Sequence, residues 1–216
     1  MTRFKNSERG RSMVEMMGYL AIMMSIIVAI GKIVSNAFDT HKYSTASLQL
    51  AELVSSIVKA GAIDVDYGEI ITDIKGGENK LNLIPSSYRR AGNKVFHVFG
   101  GEVKVDCSLI ADSGNDKAPC SGYRVDQFSV TFDHLSKKQC IELAMKNWGG
   151  NQYVDLFALK VNDTFWFWPA YGTDSGDDVT SANKIFPVKR ALLTGTTDSN
   201  AVCKPSDDNV ITWVFN

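Results

Sequence analysis

The first part of the chain is dominated by an uninterrupted apolar run. Residues 13–31, MVEMMGYLAIMMSIIVAIG, are apolar or small except Glu15, which lies close to the start of the run. At a helical rise of about 1.5 Å per residue, the run spans roughly 28 Å, the thickness of a bilayer core. Because a carboxylate in such a segment costs about 2.5 kcal/mol or more, we expect Glu15 to have a function.

A helical pattern continues beyond the apolar run. Leu50, Leu53, Val54, Ile57 and Val58 recur at the spacing of one helical stripe. No proline interrupts residues 11–60, and Gly61 suits the position that follows a helix. The pattern predicts one helix of roughly 50 residues, apolar on all sides in its first half and amphipathic in its second. Two helices separated near Ser35 are the alternative.

The charge before the run indicates orientation. Residues 1–10, MTRFKNSERG, are polar and mildly basic, which favours a cytoplasmic N-terminus with the rest of the chain across the membrane. A secretory signal peptide would have an apolar core of about 7 to 15 residues and a small-residue cleavage site. Here the core is longer and no such site stands out, but a simple signal anchor remains an alternative.

The remaining residues predict a mixed α and β region. Residues 61–94 predict a mixed connector with a short apolar-alternating stretch, and residues 95–135 predict strands, with His97 in a strand and Gly100-Gly101 as a turn or bulge. Ser136 is a candidate N-cap for a helix whose face includes Cys140, Leu143, Ala144 and Trp148. Strand-like patterns return at residues 153–169 and 210–215.

Charge and motifs point away from several functions. A formal net charge of -1 gives no general basic field for nucleic acid. The chain has no nucleotide-binding, hydrolase or zinc-protease motif, and its acidic loops lack EF-hand spacing. We therefore predict no catalytic residue, no cofactor and no metal site.

The four cysteines lie in the second half of the chain, at positions 107, 120, 140 and 203. None forms a C-x-x-C pair and the histidines are scattered, so zinc binding is not expected. An even number of cysteines behind a membrane-crossing segment favours disulfides in an oxidising compartment. Four cysteines allow three connectivities.

The stretch from Gly10 to Glu15, GRSMVE, followed by the apolar helix, resembles the prepilin-type N-terminus of type IV pilins and type II secretion pseudopilins. In those families a dedicated peptidase cuts after the glycine, and the fifth mature residue is glutamate. The resemblance implies cleavage between Gly10 and Arg11, possible N-methylation of Arg11, and a role for Glu15 in assembly. Arg11 departs from the family pattern, in which the first mature residue is usually apolar.

The segments LIPSSY, FGGEVKV and FSVTFDHLSKKQCIELA are similar to type IVb pilins of enteric bacteria and conjugative plasmids. That similarity implies an α+β pilin fold, with one long N-terminal helix packed against an antiparallel sheet and a disulfide-closed C-terminal D-region. Cys140 matches the first cysteine of that region and Cys203 its partner, which leaves Cys107 to pair with Cys120.

The resemblance gives the chain four parts: a leader peptide at 1–10, a membrane and filament-core helix at 11–34, its amphipathic half at 35–60, and an α/β head at 61–216. The implied function is the major pilin of a type IV pilus, cut by prepilin peptidase after Gly10. The prepilin would wait in the bacterial inner membrane with its head in the periplasm. An inner-membrane assembly platform with a separate ATPase would then build an extracellular homopolymer.

In that filament, Glu15 would pair with the N-terminal amine of a neighbouring subunit. A minor pilin or a type II secretion pseudopilin is one alternative. A single-pass, membrane-anchored periplasmic binding domain that uses the aromatic segment FWFWP, from Phe165 to Pro169, is another. No direct contact with nucleic acid is predicted.

Overall fold

A computed structural model describes residues 8–61, 67–76, 81–107, 128–146, 148, 156–167, 188–195 and 201–215. The protein belongs to the predicted α+β class, with a long N-terminal helix and a seven-stranded antiparallel sheet. Its helices are α1 (Glu8–Gly61), α2 (Tyr67–Gly76), α3 (Lys137–Ala144) and α4 (Arg190–Thr194). Its strands are β1 (Arg89–Ala91), β2 (Lys94–Phe96), β3 (Glu102–Cys107), β4 (Phe128–Leu135), β5 (Leu156–Val161), β6 (Thr164–Phe167) and β7 (Asn209–Phe215).

Helix α1 is continuous from Glu8 to Gly61, so the alternative of two helices separated near Ser35 is wrong. Close to that position, the Thr40 hydroxyl donates to the carbonyl oxygen of Asn36 at 2.9 Å within the same helix. The chain forms two compact units, one ending at Lys42 and the other beginning at Tyr43, and α1 contributes residues to both.

The second half of α1 supplies one wall of the core of the second unit. Leu50, Leu53, Val54 and Ile57 are buried there, as the predicted stripe requires, and Ala46 extends the buried face by one turn. These side chains share one core cluster with the apolar residues of the sheet. The predicted packing of the amphipathic half on the sheet is confirmed.

Within the predicted mixed connector at 61–94, the stretch with apolar alternation is a helix, α2, over Tyr67–Gly76. Ile70, Ile71 and Ile74 from this helix are buried in the same core. Isoleucine is β-branched and favours strands, but its spacing here places all three side chains on one helical face. Burial of that face outweighs the local preference.

The sheet has the strand order β1-β2-β3-β4-β7-β5-β6, with every neighbouring pair antiparallel. Strand β7 therefore lies between β4 and β5, where Trp213 is paired with Val130 and Leu159. The alternation predicted for β7 is present from Asn209 to Trp213, whereas in β4 Ser129 and Asp133 on the predicted outer face are buried as well. Thr131 and Thr212 are half-buried, and their hydroxyl oxygens lie 2.9 Å apart.

Helix α3 begins at the predicted N-cap. The Ser136 hydroxyl accepts from the backbone N–H of Gln139 at 3.4 Å, and the Gln139 side chain accepts from the backbone N–H of Ser136 at 2.9 Å. The helix ends at Ala144, so Trp148 lies beyond it, contrary to the prediction. Trp148 instead donates from Nε1 to the carbonyl oxygen of Leu143 at 3.0 Å, and its ring lies 5.3 Å from that of Trp213.

A disulfide joins Cys140 of α3 to Cys203, in agreement with the pairing that the pilin resemblance implied. The segment around Cys203 is also held by Asn209, the first residue of β7. Its amide nitrogen donates to the carbonyl oxygen of Leu135 at 2.9 Å, and its amide oxygen accepts from the backbone N–H of Lys204. The predicted Cys107–Cys120 pair is not described, because Cys120 lies outside the described residues.

Gly101 precedes β3 at a point where two backbone segments come very close. A Cβ atom at this position would overlap the carbonyl oxygen of Asp133 and Nε2 of His97. A Cβ atom added to Gly76, at the end of α2, would instead lie in open space.

We expect Gly101→Ala to lower the free energy of unfolding by about 3 kcal/mol, because rigid backbone would have to move to admit the methyl group. Urea denaturation of the full chain in detergent, followed by tryptophan fluorescence, measures this change. Gly76→Ala is the matched control and should change stability by about 0.5 kcal/mol or less. Equal stability of the two variants would contradict the close approach.

Candidate functional site

The apolar half of α1 is fully exposed in the single chain. Every described side chain from Met13 to Phe38 is exposed, and most of them are large and apolar. Soluble proteins rarely expose a continuous apolar surface of this extent. Among the described residues, α1 is the one helix that is long and apolar enough to cross a membrane. By its length and composition, this part of α1 could therefore cross a membrane.

Polar groups within this half are few. The Ser25 hydroxyl donates to the carbonyl oxygen of Ile22 at 2.7 Å, so the helix itself satisfies it. Glu15 is exposed, and no hydrogen bond or ion pair joins its carboxylate to another side chain that the structure describes. In an apolar environment this carboxylate requires a cationic partner.

The backbone of Gly10 and Arg11 lies in the first turn of α1, which begins at Glu8. Amides in the first turn of a helix have no intrahelical acceptor, so opening this turn breaks few hydrogen bonds. Arg11 and Glu15 are four residues apart and therefore lie on the same face of α1. The structure thus places the predicted processing and assembly positions on adjacent turns.

Gln49 attaches the second half of α1 to two loops of the sheet. Its side chain is 2% exposed, and its oxygen accepts from the backbone N–H of Val98 at 3.0 Å. Its nitrogen donates to the carbonyl oxygen of Ser87 at 2.6 Å. Six residues earlier in α1, the Tyr43 ring packs against that of Phe99, with ring centroids 5.4 Å apart.

Sequence reasoning did not select Gln49. The available signal was its position three residues after Ala46 and four before Leu53, which places a polar side chain inside the predicted buried stripe.

His97 organises the loop that Gln49 contacts. It lies one residue beyond β2, instead of within a strand as predicted, and is 3% exposed. Its Nδ1 lies 3.2 Å from the backbone nitrogen of Phe99, whose N–H donates to it. Its Nε2 lies 3.0 Å from the carbonyl oxygen of Asp133. Because Nδ1 accepts, the ring proton is on Nε2 and the imidazole is neutral.

Burial lowers the pKa of His97 below its ordinary value of 6.5, although the contacts with Asp133 oppose the shift. The His97 ring also stacks on Phe132, with centroids 4.7 Å apart. Both ring nitrogens are occupied by backbone groups, so His97 serves to hold the loop.

The Asp133 carboxylate is surrounded by donors. It accepts from the backbone N–H of Glu102, from Nζ of Lys104 at 3.1 Å and from Nδ1 of His134 at 3.0 Å. Burial acts to raise its pKa, but the bonds from His134, Lys104 and Glu102 outweigh burial and leave the pKa lowered. Asp133 is therefore an ionised acceptor that joins β3 to β4.

The aromatic segment FWFWP contributes mainly to the core. Trp166 is 1% exposed, whereas Phe165 is half-buried with Nζ of Lys160 5.0 Å from its ring centroid. Trp168 and Pro169 lie outside the described residues.

Within the described residues, no group of three or more potential metal ligands occurs. An open depression of about 520 Å³ lies between α1 and the segment 82–86. Its lining includes Glu52, Ser55 and Lys59 and is of mixed polarity.

No protein-family model matches this chain, and no curated protein is significantly similar to it. Its function is therefore inferred from its own residues and their geometry.

Proposed function

We propose that this chain is the major structural subunit of a type IV pilus, of the type IVb kind. The observation that carries the proposal is the division within α1. Its residues 13–38 expose apolar side chains, whereas one face of residues 46–57 is buried in an α+β unit that contains the Cys140–Cys203 disulfide. A helix with these two halves suits a subunit that leaves lipid and enters a bundle of identical helices.

Before assembly, the apolar half of α1 resides in the inner membrane. The basic residues at 1–10 keep the N-terminus in the cytoplasm, so the disulfide-containing unit lies in the periplasm. The location of the disulfide supports this orientation, because the periplasm is oxidising and the cytoplasm is not. Prepilin peptidase then removes residues 1–10 by cutting after Gly10.

Cleavage creates a new positive charge at the amino group of Arg11. In the filament, this amine pairs with the Glu15 carboxylate of a neighbouring subunit. Both charges are costly in an apolar environment while unpaired, and pairing removes most of that cost. Since only one axial position brings the two groups together, the pair sets the register of assembly more than it adds net stability.

The chain has no nucleotide-binding motif, so a partner ATPase at an assembly platform supplies the energy. A minor pilin or pseudopilin would share the same α1 and differ in abundance, since a major pilin dominates filaments sheared from the cell surface. The anchored binding domain is less well supported, because Trp166, the first tryptophan of FWFWP, is buried.

Processing is tested on protein from cells with and without prepilin peptidase. We expect intact mass and N-terminal sequencing to give a mature chain that begins at Arg11, and an uncut chain when the peptidase is absent. Gly10→Val should block cleavage. The control Gly18→Val should not, because open space surrounds Gly18. A chain that retains Met1 in the presence of the peptidase would refute the proposal.

The role of Glu15 is tested by removal of its charge. Glu15→Ala and Glu15→Gln should leave folding and cleavage intact but reduce the amount of sheared filaments at least about tenfold. A tenfold loss corresponds to roughly 1.4 kcal/mol of free energy lost per subunit contact. Quantitative blotting of the sheared fraction measures this loss. Glu8→Ala is the matched control, because Glu8 leaves with the leader peptide and its loss should not change filament yield. Normal piliation of the Glu15 variants would exclude the pairing.

A further inference from the structure

The loop between β2 and β3, residues 97–101, is closed by its own backbone. The N–H of His97 donates to the carbonyl oxygen of Gly101 at 3.0 Å, and the N–H of Gly100 donates to the carbonyl oxygen of His97 at 2.9 Å. Gly100 has a φ of +96°, which favours glycine at this point. We call this segment the His97 loop.

The imidazole of His97 fits this loop only when it is neutral. Protonation would place a hydrogen on Nδ1, which would then face the N–H of Phe99 across 3.2 Å, so two donors would oppose each other. The ring has little room to turn away, because Phe132 stacks on one face and Gly101 approaches Nε2 closely. A protonated His97 therefore requires the backbone at Phe99 to move.

The charged groups around His97 do not compensate for a second proton. Asp133 on β4 attracts an imidazolium ion, and His134 beside it opposes one. The Asp133 carboxylate is already bound by Lys104 and the backbone of Glu102, both on β3. From α1, the contacts to the loop come from the uncharged side chains of Gln49 and Tyr43. Burial remains the dominant influence on the ring.

Movement of Phe99 would break both contacts between the His97 loop and α1. The N–H of Val98 is bound to Gln49, and the ring of Phe99 packs on Tyr43. Tyr43 is also the first residue of the second compact unit. These two contacts tie the loop to the start of the unit's part of α1. The bond from Gln49 to Ser87 and the burial of Ala46, Leu50 and Leu53 do not depend on Phe99.

We infer that His97 is a proton-operated latch: when it takes up a proton, the His97 loop opens and gives up its contacts with Tyr43 and Gln49 of α1, while Ala46 and residues 50–57 stay packed in the core. The latch reversibly detaches this loop of the sheet from α1 without unpacking the helix. It is independent of the role proposed for the apolar half of α1.

The direction of the pH effect follows from the lowered pKa of His97. Above its ordinary value of 6.5, His97 is neutral whether the loop is open or closed, and the closed loop has its full stability. As the pH falls below 6.5, the open loop binds a proton more readily than the closed one. The equilibrium constant for opening of the loop therefore rises roughly tenfold for each unit by which the pH falls, until the pH reaches the lowered pKa of His97.

Hydrogen exchange of the full chain in detergent, at pH 7.5 and pH 5.5 and corrected for the intrinsic rate, tests the latch. We expect exchange in residues 97–101 to rise, by up to about tenfold, at the lower pH. Residues 50–57, 137–144 and 209–215 should not change. A uniform rise over all four segments, or no rise in any, would overturn the inference.

Histidine variants identify the group responsible. The chain contains three histidines, so a double variant with His41→Gln and His134→Asn retains His97 as its one histidine. This double variant should keep the pH-dependent rise in hydrogen exchange. His97→Asn retains an acceptor near Nδ1 but takes up no proton, so it should remove the response. A response that persists in His97→Asn, or vanishes in the double variant, would contradict the assignment.

If His97→Asn does not fold, nitrogen chemical shifts of the one histidine in the double variant give an independent test. The latch requires the Nε2–H tautomer of His97 at pH 7.5. It also requires that His97 takes up its proton over the same pH range in which hydrogen exchange of the loop rises. Protonation of His97 without a change in hydrogen exchange would refute the latch.

Discussion

The physical constraint on this molecule is that one uninterrupted helix must satisfy two environments. From Ala46 to Ile57, α1 is stabilised by burial against the sheet, and because helix formation is cooperative this part supports the turns that precede it. From Met13 to Phe38, its side chains are exposed in the described chain. In our proposal this exposed half is covered first by lipid and then by other subunits.

The second compact unit depends on a small number of buried polar side chains as well as on its apolar core. Gln49, His97, Asp133 and Asn209 each bind backbone groups of a different segment. Buried polar groups are costly unless they are paired, so each of them is compatible with one arrangement of the segments it joins. The apolar core favours compactness, and these side chains select which compact arrangement forms.

The sequence predicted the features that depend on local spacing. The stripe from Leu50 to Ile57, the capping residue Ser136 and the alternation in β7 are repeated patterns within a few residues. Helix α2 was missed because its isoleucines favour strands locally and only the core decides otherwise. Gln49 and His97 were missed for a different reason: their partners lie 49 and 36 residues away, and no local pattern encodes such contacts. The roles of Gly10, Arg11 and Glu15 are still predictions.

The position of β7 has a consequence for biogenesis. Every other described strand precedes it in the chain, yet it lies between β4 and β5 and supplies the only pairing that connects β5 and β6 to the rest of the described sheet. Until residues 209–215 have been synthesised, the described sheet exists as two separate pieces. Completion of the sheet must therefore follow synthesis of almost the whole chain, and the unpaired edges of β4 and β5 are open to aggregation until then.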